Sequence, residues 1–229
     1  MKTLGIYHRT YYNKLAFKMA LSECRKHFPN NPYVIISDDG DDFSEYVDDK
    51  THFIKSETRL WGTGPNAYYY DNWEQWLNYY STLKQVCILC DTDYILNMED
   101  DVLIKNSFTI TNDFDICGPC NSMLPEHTIE SIKKTISNNF NEYNLDKNYF
   151  YGFCGGAIFN AKKFLDNYDL IIDNLKKYHY EYTRNLTEMI PLAADANFVV
   201  QFNLLNLNYT CSQWMDNEII HPYKEYYNK

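Results

Sequence analysis

Tyr94-Ile95-Leu96-Asn97-Met98-Glu99-Asp100-Asp101-Val102-Leu103-Ile104 is the stretch on which the reading of the whole chain turns. Its first five residues are largely apolar and follow the polar run Asp91-Thr92-Asp93, which predicts a short buried strand over 94–98. Three carboxylates then stand side by side at the strand's end. Adjacent acids raise one another's pKa unless a cation or strong hydrogen-bond donors offset their charge. A hard divalent ion does this, because Mg²⁺ or Mn²⁺ takes one or two carboxylates together with the phosphate oxygens of a substrate. The alternative reading is a solvated acidic turn.

Upstream, Trp73, Trp76, Leu77, Tyr80, Leu83, Cys87 and Cys90 recur at helical spacing and predict a helix over 71–90. The amino-terminal part reads as strand, helix, strand. A strand over 4–7 comes first, then a helix capped by Asn13 with apolar positions Leu15, Ala16, Met19, Ala20 and Cys24, then a strand over 33–37. Such a β-α-β start favours a parallel sheet. The second strand runs into Ser37-Asp38-Asp39-Gly40-Asp41-Asp42, an acidic turn-prone loop beyond a strand's carboxyl end, where ligands gather in open α/β sheets. A further short strand fits 52–54.

Downstream the pattern is less regular. A strand is expected over 114–118, a surface helix over 126–140, a glycine-interrupted strand pair over 150–159, helices over 161–180 and 193–207, and a strand over 209–211. The fold class is therefore α/β, with a mixed, mostly parallel central sheet flanked by helices. No repeat, low-complexity block or linker marks a boundary, so 1–229 reads as a single domain.

Composition narrows the partners. The 229 residues carry a net charge of −10, 45% apolar and 17% aromatic residues, including 22 Tyr, so the chain has the material for a full core. No run of Lys or Arg is long enough to track a phosphate backbone, which argues against nucleic acid. An acidic protein still binds an acidic phosphate ligand when a cation lies between them. Neither a leader-like apolar stretch nor a membrane span is found, so a cytoplasmic setting is expected, with the seven Cys as free thiols.

The chain resembles glycosyltransferases of the GT-A fold, whose Asp-x-Asp motif ends a core strand as Glu99-Asp100-Asp101 does here. Met98-Glu99-Asp100-Asp101-Val102 looks like the Glu-Asp-Asp form found in inverting N-acetylglucosaminyltransferases, which departs from strict Asp-x-Asp by opening with Glu. The resemblance implies a nucleotide-binding half over 1–104, an acceptor-binding half over 105–229, a UDP-sugar donor, a Mn²⁺ or Mg²⁺ cofactor and a hydroxyl acceptor such as a glycan. It assigns Asp101 as the direct metal ligand, Asp100 to the ribose or a bridge to the sugar, and Glu99 to the donor sugar. Asp38 and Asp39 fit the base-recognition loop, Arg59 a further donor contact, and Gly155-Gly156 the segment where backbone approaches the sugar. Asp195 matches the position of the carboxylate that deprotonates the acceptor in an inverting transfer. His221 corresponds to a late metal or phosphate ligand, and Lys224 to a diphosphate contact. His8 and Arg9, after the first predicted strand, stand where the nucleotide pocket should open. The compact size resembles single-domain viral or bacterial members, the setting of a viral one being the host cytoplasm.

Other readings compete with this one. Cys87-x-x-Cys90 with Cys117-x-x-Cys120 has the count of a zinc site, but Cys87 and Cys90 continue a helical apolar stripe. Cys117-Gly118-Pro119-Cys120 matches a redox motif without its usual helix. Asp91-Thr92-Asp93 imitates a phosphatase signature at the wrong end of its strand. Trp61, Tyr68, Tyr69, Tyr70 and Trp214 suit sugar stacking or a core equally. A nucleotidyltransferase uses a related sheet with metal carboxylates, yet Tyr7-His8-Arg9-Thr10-Tyr11-Tyr12 has no glycine for its usual loop. A non-catalytic zinc- or carbohydrate-binding module is the alternative from a different class.

Overall fold

The computed structural model describes residues 1–38, 40–56, 73–118, 124–140, 144, 155–184, 194–211 and 218–220. Strand β1 (Leu4–Thr10) is buried along its whole length, between β2 (Tyr33–Asp38) and β4 (Tyr94–Glu99), and runs parallel to both. Burial on both faces explains why these strands read as continuous apolar runs without alternation. β3 (Thr51–Ser56) lies parallel to β2. Beyond β4, β7 (Ile158–Asn160) runs antiparallel to both β4 and β6 (Ile116–Gly118), and β8 (Tyr209–Cys211) is parallel to β6. The order β3-β2-β1-β4-β7-β6-β8 puts the acid-bearing strand in the middle of a mixed, mostly parallel sheet.

β1 continues three residues past its expected end. His8, Arg9 and Thr10 are polar and interrupt the apolar pattern, yet all three are buried because β2 and the end of β4 supply their partners. A small second sheet pairs β5 (Leu103–Ile104) with β9 (Ile219–Ile220), antiparallel. Strands of two residues carry no periodicity that sequence reading could detect.

Helix α1 (Lys14–His27) covers one face of the large sheet. Asn13 Oδ1 accepts from the Ala16 amide at 3.0 Å, and Arg25, Lys26 and His27 oppose the dipole at the last turn. Its buried residues are Ala16, Phe17, Ala20 and Cys24, whereas Leu15 and Met19 are 62% and 45% exposed. The expected apolar stripe is thus rotated: the helix seats itself on small residues and one Phe, and the two larger side chains face outward.

Helix α2 (Trp73–Cys90) covers the opposite face and buries Trp76, Tyr80, Leu83, Cys87 and Cys90 of the predicted stripe together with Tyr79 and Val86, while Trp73 and Leu77 are half-buried. Each such large apolar side chain contributes about 1.5–3 kcal/mol when fully removed from water. The expected long helix over 161–180 is instead α4 (Ala161–Asp166) and α5 (Tyr168–Arg184), parted at Asn167, whose Nδ2 donates to the Lys163 carbonyl at 2.8 Å. That side-chain bond competes with helix continuation. Helix α6 (Ala194–Leu204) joins the α2 side through Phe198, Val199 and Phe202, while α3 (Glu126–Asn139) meets α5 over Ile132, Ile136 and Tyr178. Among the described residues no helix is long and apolar enough to cross a membrane.

Candidate active site

Because β1, β2 and β4 are parallel, their carboxyl ends meet at one edge of the sheet, and Asp38, Arg9, Thr10 and Glu99 arrive there together. The strand register sets Arg9 directly opposite Glu99. Arg9 Nη2 donates to Glu99 Oε1 at 2.9 Å, and the Arg9 side chain is 7% exposed against 21% for Glu99. Burial by itself would lower the Arg9 pKa, but Tyr7, Glu99, Tyr79 and Asp38 more than offset it and hold it above its ordinary value. Asp38, the last residue of β2, is buried and follows Val34 and Ile36 in alternation onto the α2 face, which is also the face of Tyr7 and Arg9.

Asp100 turns to the other face. Its Oδ1 lies 3.2 Å from His8 Nε2, and its Oδ2 accepts from Thr10 Oγ1 at 3.1 Å. Asp101 is buried at 4% exposure, and the Val102 amide donates to the Glu99 carbonyl at 3.0 Å, closing the turn that carries the three acids. The acids are therefore splayed rather than crowded. β1 provides a full countercharge for Glu99 and two hydrogen-bond partners for Asp100. Of the two ways to offset crowded acids, hydrogen-bond donors within the protein serve Glu99 and Asp100. The sequence showed polar residues at the ends of two strands, but only the sheet order and register pair Arg9 with Glu99.

Gly155 lies against this turn. A Cβ there would stand 2.3 Å from Val102 Cγ2 and 3.3 Å from Glu99 Cβ and Cγ, so only glycine fits without displacement. Gly156 donates its amide to the Asn97 carbonyl at 2.7 Å, joining the segment to β4 just before the acids. The loop after β2 is tied to the same edge: the Asp41 amide donates to the Tyr11 carbonyl at 2.9 Å, and a Cβ on Gly40 would stand 2.0 Å from that oxygen. The β5–β9 pairing sets Ile220 opposite Leu103, two residues after Asp101, and the Lys105 amide donates to the Glu218 carbonyl at 2.6 Å.

The structure thus gathers Asp38, Glu99, Asp100, Asp101, Gly155 and Gly156 at one edge of the sheet. His8 joins them from behind: it is wholly buried, and both of its ring nitrogens are engaged within the protein. Asp195 is the second residue of α6. Asp39, Arg59, His221 and Lys224 lie outside the described residues, as do Trp61, Tyr68, Tyr69, Tyr70 and Trp214.

Among the described residues no three His, Cys, Asp or Glu side chains converge as a ready-made metal centre. Asp100 and Asp101 nevertheless offer the one or two hard carboxylates that Mg²⁺ or Mn²⁺ takes when phosphate oxygens supply the rest. Glu99 is committed to Arg9. The thiols do not suit zinc: Cys87 and Cys90 are buried in α2, and burial pushes Cys87 well up and Cys90 to about 12.

Sheet order, flanking helices and acid turn together define an α/β fold of the GT-A type. Solved structures share it, two of them of one protein. One is a galactosyltransferase, LgtC, in complex with donor and acceptor sugar analogs, at 14% identity and TM-score 0.51, the match covering 91% of this chain and 73% of that one. The other is an active-site mutant of LgtC, at 13% identity, TM-score 0.51 and the same coverage. No family model and no curated protein matches the chain.

Proposed function

We propose that the protein is a metal-dependent glycosyltransferase that moves a hexose-type sugar from a UDP-activated donor to a hydroxyl of a glycan acceptor. The observation that carries this reading is the acid turn itself: Asp100 and the buried Asp101 sit at the carboxyl end of the central strand, with Gly155 against them. Likeness of fold to a galactosyltransferase supports it.

In this reading Asp101 and Asp100 hold Mn²⁺ or Mg²⁺, with His221 as a further ligand; Ile220, its neighbour in the chain, stands beside β5 just after the acids. The cation, when bound, neutralises charge that grows on the departing diphosphate, a contribution worth several kcal/mol. Asp38 and Asp39 receive the uracil, and Arg59 and Lys224 add donor contacts. Gly155 and Gly156 let backbone approach the sugar. Glu99, already paired with Arg9, orients the sugar through its remaining lone pairs. Asp195 accepts the acceptor's hydroxyl proton as that oxygen attacks the anomeric carbon, which inverts the configuration there.

The test is transfer itself, followed by NMR with a panel of UDP-hexoses, Mn²⁺ and simple glycoside acceptors. One donor is expected to yield UDP and a new glycoside, and Asp101→Asn to slow this by about 100-fold or more. Absence of turnover with every donor would sink the reading. Retained anomeric configuration would remove Asp195 as the base and leave the transferase assignment standing.

A further inference from the structure

We propose that Tyr33, His8 and Thr10 form a buried positioning relay that fixes both oxygens of the Asp100 carboxylate, so that β1 and β2 set the geometry of the acid turn before any ligand arrives. The inference rests on the reading of Asp100 and Asp101 as the diphosphate-metal site.

The relay starts deep in the sheet. Tyr33 is fully buried, with the Arg25 guanidinium 4.9 Å above its ring, and Arg25 is itself tied to the Asn31 carbonyl and Thr51 Oγ1, each at 2.7 Å. The Tyr33 hydroxyl lies 2.5 Å from His8 Nδ1. Burial pushes the phenol well above its ordinary range, so it keeps its hydrogen. With Tyr33 donating to Nδ1, the His8 ring carries its hydrogen on Nε2, the tautomer that donates to Asp100 Oδ1. The opposite tautomer would set two lone pairs against each other there. His8 is wholly buried and its ring packs against Phe17 at 4.7 Å between centroids. Thr10 Oγ1, two residues along the same strand, fixes Oδ2.

Each Asp100 oxygen thus spends one lone pair on a donor from β1 and keeps another, and the side chain remains 23% exposed on its open side. A carboxylate on a turn would otherwise swivel and lose entropy on binding. A pre-set one binds with less ordering to do. Hydrogen-bond partners behind a metal ligand typically change metal affinity by about 10–100-fold when removed.

The discriminating variants are Tyr33→Phe, His8→Asn and His8→Gln. The glutamine amide reaches the Nε2 position and can still donate to Asp100, whereas the asparagine amide corresponds to Nδ1 and cannot. A histidine that merely filled the core would show no such split. Mn²⁺ is titrated into the whole chain with UDP present, and free Mn²⁺ is read by electron paramagnetic resonance. Tyr33→Phe and His8→Asn are expected to weaken binding by about tenfold, and His8→Gln by no more than about threefold. Nitrogen-15 NMR of His8 should show hydrogen on Nε2 in the wild type; Tyr33→Phe loses only one oxygen and should still fold. Wild-type binding with unchanged affinity in Tyr33→Phe and His8→Asn overturns the relay alone. Failure of the wild type to bind Mn²⁺ with UDP overturns the transferase reading, and the relay's role with it.

Discussion

Arg9 holds its charge where water has little access, between Glu99 on β4 and the end of β2 that bears Asp38. Removing one partner of such a pair leaves the other charge stranded, at a cost of about 3–5 kcal/mol. Because Glu99 keeps 21% exposure, the lower end of that range applies here. Arg9→Met should therefore destabilise the fold by about 3 kcal/mol in urea unfolding, and adding Glu99→Gln should recover part of the loss. A loss under about 1 kcal/mol would mean that the pair behaves as an ordinary surface contact. The sequence showed Arg9 and Glu99 as polar residues near strand ends but left their relation open. Pairing across a sheet depends on register, and register follows from packing over many residues.

At the scale of elements, the site depends on three chain segments closing on the turn after β4. Gly155 closes on the turn itself, against Val102, which is fully buried. Gly155→Ala places a methyl 2.3 Å from Val102 Cγ2, so something must move, and overpacking of this kind typically costs about 1–3 kcal/mol. The obstacle is a side chain, which makes the clash reversible. Val102→Ala opens a small cavity when made alone, but the double variant should be more stable than the two single losses summed, a coupling that a double-mutant cycle in urea measures. Strict additivity would show that Gly155 does not rest on Val102. Here the sequence was partly legible. The helical stripe of α2 and the apolar run of β4 are long enough to declare themselves, as is the Asn13 cap. β5 and β9 are too short, and the break at Asn167 is a side-chain bond hidden within a helical pattern. On α1, spacing alone could not tell which of two adjacent stripes meets the sheet, because Ala16 and Ala20 allow a closer approach than Leu15 and Met19.

For the whole molecule the governing quantity is charge. A β-α-β start made the parallel sheet readable, and a strand ending in acids marked its candidate edge, since both follow from local pattern and chain connectivity. The antiparallel insertion of β7 beside β4 follows from contacts far apart in sequence. If the acid turn faces a diphosphate, as proposed, a net charge of −10 opposes binding unless a cation comes with it. Donor and metal should then stabilise the fold jointly rather than separately. At a donor concentration about 100 times its Kd in the presence of Mn²⁺, mass action contributes about 2.7 kcal/mol. For a chain of 229 residues that corresponds to a Tm rise of about 5–10 °C. Excess chelator should abolish the rise, and so should Asp101→Asn with Mn²⁺ present, while neither should shift Tm much in the absence of nucleotide. Differential scanning fluorimetry with UDP-sugar, Mn²⁺ and chelator in all combinations measures each contribution. A rise of the same size with and without chelator would mean that the diphosphate is held by the protein's own cations, and the acid turn would then need a different role.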